Sequence, residues 1–547
     1  MKNFTQRVSI LLILLASFSS LSAQAEIASG TDWLTYGIFI VLALILFVFI
    51  VQVANSFLSL QADRVGIDRE ENNISIVPRW NEIFSPKVPQ YLEGKKMVRL
   101  SKGHDILLDG SAEGEPKAIA VKSFAVQPKN FIGMSPIPKM IVEVGQKVLA
   151  GEELFFDKKR PEIKYVAPVS GEVVAVNRAE KRSIAEVIIL ADKEVEYKAF
   201  EAPSLDGATR EIIVNFLLET GAWTMIRQRP YNIPAEHDVA PRDIFVSTFD
   251  SAPLAPNSNI IVEGQQAEFQ KGLDVLKQLT DGKVYLGLDA SEDTPPSSIF
   301  TEAAGVEKYY FKGKHPAGNV GVQIHHIQPM AAGDVVWTLG VQEVITLGKL
   351  FLYNRFDASR ILVVAGAESE LNEPQYLKTY IGANIGELVK DNIKHDNIRL
   401  VSGDVLSGQQ KASEQFLNYY DDQVTVLAEG DDYELFGWLL PVTPRPSISN
   451  TFPNFIFPNQ KFVANTNTHG EKRAFVVSSD YEQVMPMDVY VQPLMKAIMV
   501  NDFERMEGLG LAELVEEDVA LCEFVCTSKM PLQKILREGL DEMRSQG

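Results

Sequence analysis

The chain has 547 residues, with 52 Lys and Arg against 72 Asp and Glu, and a formal net charge of −20. This charge, and the lack of a basic stripe interleaved with aromatic residues, argue against nucleic-acid binding. The composition is that of a globular protein, and the length allows several domains. Only two cysteines occur, which excludes a disulfide framework and is typical of a reducing compartment.

The first 25 residues have the pattern of a secretory signal. Lys2 and Arg7 precede an apolar run at residues 10–15, and small residues follow at 22–25. An uncleaved first helix is the alternative. Both interpretations give the same topology for the rest of the chain.

Residues 33–57 are predicted to form a single membrane anchor. They contain no charged residue, and a helix of this length exceeds the ~30 Å hydrocarbon core of a bilayer. Trp33 and Tyr36 suit one interface, and Arg64 and Arg69 follow on the inner side. We therefore expect a single-pass protein of the inner membrane with a cytoplasmic body. Residues 58–96 are predicted to be a tether.

Residues 97–205 are predicted to be a barrel-sandwich domain. Glycines at 145, 151 and 171, with apolar residues between them, indicate short strands joined by tight turns. The pattern resembles the biotinyl and lipoyl carrier module, with Lys158 or Lys159 near the hairpin that would hold a prosthetic group. The methionines that flank a biotinylated lysine are absent, so we expect this module to act only as a scaffold.

Residues 206–356 are predicted to form a Rossmann-like α/β domain. Apolar residues at helical spacing occur at 210–219, and buried strands at 244–247 and 284–288 flank a helix at 269–279. A strand and a helix follow at 335–347. Strand-helix-strand order implies a parallel sheet.

The remaining chain is predicted to hold a small β-grasp (SLBB-like) domain at 357–440 and a linker with a C-terminal helical domain at 441–547. Strands are expected at 360–366, 398–403 and 424–440, with helices at 385–388 and 531–543. The predicted fold class is therefore α/β and multidomain, behind one transmembrane helix.

Several strings in this order resemble the A subunit of the Na⁺-translocating NADH:quinone reductase, from about Met97 onward. They are KGHDI at 102–106, FFDK at 155–158 with AP at 167–168, HPAG at 315–318, GKLFL at 348–352, SGDVLSG at 402–408, ELFGW at 434–438 and VMPMD at 484–488. The resemblance implies one subunit of a respiratory translocase that passes electrons from NADH to quinone and exports Na⁺. Residues 1–96 are an addition to the form of the family that begins near Met97.

The resemblance also directs attention to a flavin loop. The family is similar to the C subunit of the Rnf complex and to the flavin subunit of complex I, which hold FMN with a glycine-rich loop. At the corresponding place, residues 221–231 read GAWTMIRQRPY, so side chains replace the glycines that let backbone N–H groups approach a phosphate. We expect no cradle for FMN or NADH here. Arg227 and Arg229 could bind an anionic partner, but a solvated or structural role is favoured.

The C-terminal segment resembles a ferredoxin-like repeat that has lost ligands. Cys522 and Cys526 remain, while Glu516 and Val519 stand where two further cysteines would be. A [4Fe–4S] cluster generally needs four thiolates. We therefore expect a helix whose two cysteines pack in the core, and zinc is less favoured still because no histidine or second thiol pair follows.

Histidines concentrate only at His325 and His326, near His315. Read as neighbours on a strand, His325 and His326 point to opposite faces and do not readily bind one metal. No Ser/His/Asp order and no phosphate-binding loop stands out. The sequence thus predicts no catalytic, cofactor-binding or metal-binding residue in this chain, and leaves contact with quinone open.

The interpretation is a docking subunit without a cofactor of its own, held to the membrane and to the other subunits near the quinone-reducing end. In this interpretation NADH, flavins, Fe–S clusters and quinone are handled by other subunits. One alternative is a membrane-tethered efflux adaptor. Adaptors insert a long helical hairpin into the sandwich, whereas only about a dozen residues separate Leu154 from Ala167. The other is an NADH-oxidising Rnf-type subunit, which the missing glycines and cysteines disfavour.

Overall fold

The computed structural model describes residues 37–47, 49–50, 89–135, 137–431, 444–449, 454 and 459–546. The chain divides into two compact units, Met1–Val88 and Pro89–Gly547. In the first unit, residues 37–47 and 49–50 are helical and exposed. Among the described residues, no helix combines the length and the apolar character needed to cross a membrane. The rest of the predicted anchor, the predicted signal and residues 58–88 lie outside the described residues.

In the described residues of the second unit, twenty strands form four sheets. In chain order they are β1 Met97–Arg99, β2 Lys117–Ala118, β3 Ser123–Val126, β4 Lys139–Met140, β5 Lys147–Val148, β6 Glu153–Asp157, β7 Arg160–Val166, β8 Gly171–Arg178, β9 Ile184–Ala191, β10 Arg227–Arg229, β11 Ile233–Pro234, β12 Asp243–Ser247, β13 Val284–Asp289, β14 Glu307–Lys312, β15 Val336–Leu339, β16 Ser359–Gly366, β17 Gln375–Tyr380, β18 Ile398–Ser402, β19 Gln409–Lys411 and β20 Gln423–Ala428.

The helices of this unit lie between the strands of the α/β part and after the last sheet. In chain order they are α1 Arg210–Glu219, α2 Ser258–Val262, α3 Gln266–Lys277, α4 Ser298–Thr301, α5 Val320–Ile327, α6 Val341–Tyr353, α7 Ile385–Leu388, α8 Tyr481–Val484, α9 Val491–Met499, α10 Phe503–Gly508, α11 Glu516–Val525 and α12 Leu532–Gln546. Short 3-10 turns occur at Gln90–Leu92, Pro128–Asn130, Glu180–Arg182, Ala222–Met225 and Leu511–Glu513.

The barrel-sandwich consists of a four-stranded sheet, β3-β9-β8-β5, and a three-stranded sheet, β4-β6-β7. Its turns need glycine: Gly145 and Gly151 adopt φ of +91° and +85°, a region that other residues enter only with strain. The predicted β-sandwich is therefore confirmed. Its core is continuous with that of the α/β and β-grasp parts.

The α/β part is built on a seven-stranded sheet in the order β1-β14-β13-β12-β15-β10-β11. Strands β12, β13, β14 and β15 run parallel, as strand-helix-strand order predicted. Strand β1 joins this sheet, parallel to β14, although it was assigned to the barrel-sandwich. The residues just before it also belong to the body, because Leu92 is buried and Tyr310 N–H donates to Lys96 O at 2.8 Å. Residues 89–96 are thus not a loose tether.

The β-grasp part has a six-stranded sheet in the order β19-β18-β20-β16-β17-β2. Strand β2 comes from the segment that precedes the sandwich strands and pairs with β17. Helix α7 lies at its predicted position. Helices α8 to α12 pack around a second hydrophobic core of their own. Residues 432–443, which include most of the strand extension predicted after 428, lie outside the described residues.

Candidate functional site

The carboxyl ends of β12 and β14 point to the candidate site, because open parallel sheets bind ligands at that edge. The segment after β12 carries Asp250 and Ser251, and the segment after β14 carries His315 and Gly318. We call the junction formed by these four residues and Asp105 the carboxyl-end junction.

His315 is the centre of the carboxyl-end junction and is only 4% exposed. Its Nδ1 lies 3.0 Å from Ser251 Oγ, and that oxygen also accepts from Gly318 N–H at 2.8 Å. The peptide N–H of His315 donates to Asp105 Oδ1 at 2.8 Å. Burial lowers the pKa of His315. The carboxylates of Asp404 and Asp105 act in the opposite direction but do not outweigh burial, so the ring stays neutral.

This arrangement does not form a nucleophile relay. In a catalytic triad the carboxylate orients the imidazole through the ring nitrogen that does not face the nucleophile. Here Asp105 holds the backbone of His315, and His315 Nε2 has no hydrogen-bond partner among the described residues. The junction therefore fixes two loops against each other.

Two glycines permit this close packing. A Cβ on Gly318 would lie 2.6 Å from the backbone nitrogen of Ser251. A Cβ on Gly103, whose φ is +125°, would lie 2.5 Å from His315 O. The strings at 102–106 and 315–318, which carried part of the family resemblance, therefore meet in space. Sequence reasoning did not single out Asp105, Asp250 or Ser251, and those two strings were the signal that could have located them.

Asp250 is the member of the junction whose carboxylate has other carboxylates near it, those of Asp404 and Glu517. It is accessible to solvent, but the protein atoms packed around it reduce the hydration of its carboxylate, and Asp404 adds negative charge. Both effects raise the pKa of Asp250, to about 7. The backbone N–H of Ala252, which donates to Asp250 Oδ1 at 2.8 Å, opposes this shift only in part.

Asp250→Asn is expected to make stability less dependent on pH. An unfolded Asp250 loses its proton near its ordinary pKa of 3.8, whereas the folded chain holds it until about pH 7. The folded state therefore binds more protons between these values, and wild-type stability falls as pH rises through this range. The difference between the unfolding midpoint of the variant and that of wild type should therefore increase as the pH is raised from about 4 to about 7. Asp396→Asn, at an exposed position, is the control; parallel curves for Asp250→Asn and wild type would contradict the assignment.

The loop at 221–231 is packed as core. Trp223 and Met225 are completely buried, and Trp223 Nε1 donates to Ala235 O at 2.7 Å. The ring of Trp223 meets that of Trp337 edge-on, with centroids 5.2 Å apart. A Cβ on Gly221 would lie 2.5 Å from Val166 Cγ1. Side chains thus occupy the space in which a glycine-rich loop would leave its backbone open.

Both arginines of this loop make internal contacts. Arg229 is buried, and it donates to Asp518 Oδ2 at 2.7 Å and to Glu517 Oε1 at 2.8 Å. Arg227 places its guanidinium 5.2 Å from the ring centroid of Tyr420. Arg229 therefore connects the α/β sheet to the C-terminal helices, whereas the role of Arg227 stays a prediction.

Helix α11 contains Cys522, as predicted, and ends at Val525, so Cys526 follows directly after the helix. Cys522 and Cys526 are buried and free, and Tyr481 O–H donates to Cys526 Sγ at 2.9 Å. Burial raises the pKa of the Cys522 thiol, so it stays protonated. Glu516, one of the positions predicted to replace a cluster cysteine, pairs with Arg537 at 3.2 Å. Acidic residues at the start of α11 thus form ion pairs with arginines.

The prediction for the histidine pair needs a correction. His325 and His326 lie on helix α5 and not on a strand. His325 Nδ1 lies 3.0 Å from Glu513 Oε2, and His326 Nε2 lies 2.8 Å from Pro486 O. Both rings therefore attach α5 to the C-terminal helices. Within the described ranges, no group of three or more His, Cys, Asp or Glu could hold a metal ion.

The lysines of the sandwich lie at a hairpin tip. Strand β6 ends at Asp157 and β7 begins at Arg160, so Lys158 and Lys159 form a two-residue turn and are exposed. Lys159 N–H donates to Asp157 Oδ1 at 3.1 Å. The predicted position at the hairpin is confirmed, while the scaffold role stays a prediction.

Three family models match this body in order. They are the NqrA N-terminal barrel-sandwich hybrid domain at residues 98–192, the NqrA second alpha/beta domain at 208–356 and the NQRA C-terminal domain at 363–413. A solved NAD⁺-reducing [NiFe]-hydrogenase in the air-oxidized state overlaps 64% of this chain and 67% of its own. Its identity of 10% and TM-score of 0.33 are too low to support an argument.

Curated relatives are far more similar. The A subunit of the Na⁺-translocating NADH-quinone reductase of Vibrio campbellii is 38% identical over 455 residues, which is 82% of this chain and the whole of that relative. The same subunit of Vibrio alginolyticus is 36% identical and that of Shewanella frigidimarina 35% identical, each over the same shares. The chain therefore belongs to the NqrA family, the A subunits of the Na⁺-translocating NADH-quinone reductase.

Proposed function

We propose that this chain is the docking subunit of a Na⁺-translocating NADH-quinone reductase, placed near the quinone-reducing end and without a cofactor of its own. The observation that carries the proposal is the match over the whole length of the relatives, whose name gives the reaction of the complex. NADH oxidation, quinone reduction and Na⁺ export are then properties of the assembled complex. The modules of the chain are, as part of this proposal, those predicted from sequence, except that residues 89–96 belong to the body, β1 to the α/β sheet and β2 to the β-grasp sheet.

Two packing features support the absence of a cofactor. Trp223 and Met225 fill the place of a flavin loop, and Cys526 already accepts a hydrogen bond from Tyr481 in a buried setting. The purified full-length chain should therefore show no stoichiometric flavin or Fe–S absorbance. A flavin or cluster spectrum in the isolated chain would contradict this part of the proposal.

We further propose that residues 33–57 anchor the chain as one membrane span, with the body on the cytoplasmic side. The support is the uncharged apolar sequence and the arginines that follow it. Because its interior contains no charged residue, this helix is a poor candidate for a Na⁺ path. Neither an efflux adaptor nor an Rnf-type subunit is supported by the relatives, and the two-residue turn between β6 and β7 has no room for an adaptor's helical hairpin.

Removal of the anchor should weaken retention in the complex without removing a redox centre. The cut belongs before Pro89, because residues 89–96 pack on the body. A chain that begins at Pro89 should co-purify with a tagged partner subunit in lower yield than the full chain, while the complex keeps its flavin and Fe–S spectra. If the full-length chain itself did not co-purify, the proposed function would be wrong.

A further inference from the structure

The outer surface of the four-stranded sheet of the barrel-sandwich exposes apolar side chains. We define the sandwich face as Val144, Glu172, Val174 and Leu190. Resting on the proposed function, we propose that the sandwich face is the docking surface for a cytoplasmic loop, presenting apolar residues together with Lys or Arg, of a membrane-embedded partner subunit.

Backbone pairing brings the members of the sandwich face together. Glu172 pairs with Leu190 across β8 and β9, and Gly145 N–H donates to Val173 O at 2.8 Å. Val173 is completely buried, while Val174, which lies at an irregularity in the pairing of β8 with β9, is 40% exposed. Leu190 is 47% exposed and Val144 61% exposed. Adjacent exposed apolar residues of this kind mark an interaction site more often than scattered single residues do.

A concavity of about 500 Å³ adjoins the sandwich face. It is lined by β5 and by the segment after β9, two elements that border the face. Its charged side chains are Lys147, Asp192, Lys193, Glu194 and Glu196. Among the described residues of the module, ion pairs occur away from the concavity, at Arg160–Asp157, Lys164–Glu153 and Lys117–Glu373. Three carboxylates against two lysines leave a net charge of −1 in the concavity, and Glu172 on the face adds a second negative charge. An apolar centre beside this net negative charge suits a partner loop that carries Lys or Arg.

The distribution of charge favours this module as the side that approaches the membrane-embedded subunits. Residues 97–205 carry 16 Lys and Arg against 16 Asp and Glu, whereas residues 206–547 carry 28 against 48. The cytoplasmic leaflet is negative, so the strongly acidic remainder is repelled from it and the neutral module is not. Cytoplasmic loops of membrane proteins carry an excess of Lys and Arg, which complements Asp192, Glu194 and Glu196.

Other occupants fit less well. A lipid surface would bring anionic head groups against these carboxylates. A second copy related by a two-fold axis would place the same carboxylates opposite each other. A basic protein loop avoids both repulsions.

The test uses the full-length chain in the assembled complex, purified in mild detergent through a tag on a partner subunit. Val174→Glu combined with Leu190→Glu should lower the amount of retained chain at least tenfold. Val477→Glu combined with Val500→Glu, at positions that are 72% and 71% exposed in the C-terminal part, should retain it as wild type does. Glu194→Lys with Glu196→Lys should also reduce retention, and more at low salt than at high salt. Equal unfolding midpoints for all variants exclude misfolding as the cause.

Each outcome decides between defined alternatives. If Val174→Glu/Leu190→Glu is retained in the complex as well as wild type is, the docking face is wrong and the proposed function stands. If the wild-type chain is not retained, the proposed function itself is wrong. A photoreactive p-benzoylphenylalanine at position 174 identifies the occupant in membranes. A cross-link to a basic loop of a membrane-embedded subunit supports the inference, and a cross-link to phospholipid or to a second copy overturns it.

Discussion

Arg229→Met is expected to lower the free energy of unfolding of the body by about 3–5 kcal/mol, the usual cost of removing one partner from a buried ion pair. Arg229 is 1% exposed, and its guanidinium contacts Asp518 and Glu517 at the start of α11. Burial raises the pKa of Asp518, and Arg229 opposes that rise. Without Arg229, the fully buried carboxyl group must either stay charged with no cation beside it or take up a proton, and both cost free energy. Asp518 Oδ2 also accepts a hydrogen bond from Val515 N–H at 2.9 Å, so the same carboxylate caps the N-terminus of α11.

The measurement is a denaturant titration of the full-length protein in detergent, followed by circular dichroism. Arg505→Met is the matched control, because Arg505 has a side chain that is 76% exposed and pairs with Asp502 on the surface. It should cost at most about 1 kcal/mol. Arg229→Met combined with Asp518→Leu should recover part of the loss, since no buried charge is then left unpaired. Equal effects of Arg229→Met and Arg505→Met would show that the buried pair contributes nothing special.

The spacing of apolar residues predicted those helices and strands whose buried face is determined by their own sequence. Helix α1 was expected at 210–219 and is observed at Arg210–Glu219, because apolar residues repeat at helical spacing and Gly221 follows with a φ of +75°. The parallel pairing of β12 and β13 followed from the helix between them. These features depend on periodicity and chain order, which a single sequence displays.

Where the spacing of residues led to a wrong assignment of secondary structure, tertiary packing determined the observed structure. His325 and His326 were read as neighbours on a strand, yet they lie on helix α5, Val320–Ile327. A Cβ on Gly321 would lie 2.5 Å from both Arg229 Nη1 and Asp518 Oδ1, so this helix packs directly on the buried ion pair. Such contacts override weak local propensity.

For the candidate site, the sequence identified two short segments but not the contacts between them. The segments at 102–106 and 315–318 were recognised from their resemblance, but nothing in the sequence indicates that Asp105 accepts from His315 N–H. The partner of Arg229 was equally hidden, because Asp518 lies far along the chain and its role appears only after the C-terminal helices have packed on the sheet. Long-range pairing of charges has no periodic signature.

Trp223→Ala is expected to destabilise the body by about 3–5 kcal/mol, as large-to-small changes at fully buried aromatic residues do. The indole is completely buried, packs edge-on against Trp337 and donates to Ala235 O. Alanine would leave a cavity and an unpaired carbonyl. Trp223→Phe keeps most of the apolar contact and should cost less, mainly the lost hydrogen bond.

The same variant tests what replaced the flavin loop. Trp223 and Met225 fill the place of a flavin loop, and we expect that the backbone there no longer forms a cradle for a phosphate. Adding FMN to the Trp223→Ala variant should then leave the unfolding midpoint of this variant unchanged. The cavity would be lined by apolar side chains, which offer no N–H groups to a phosphate. A midpoint that rises with FMN concentration would instead show that the cradle persists beneath the indole. Stability and ligand response together therefore separate a loop that only packs from one that still binds.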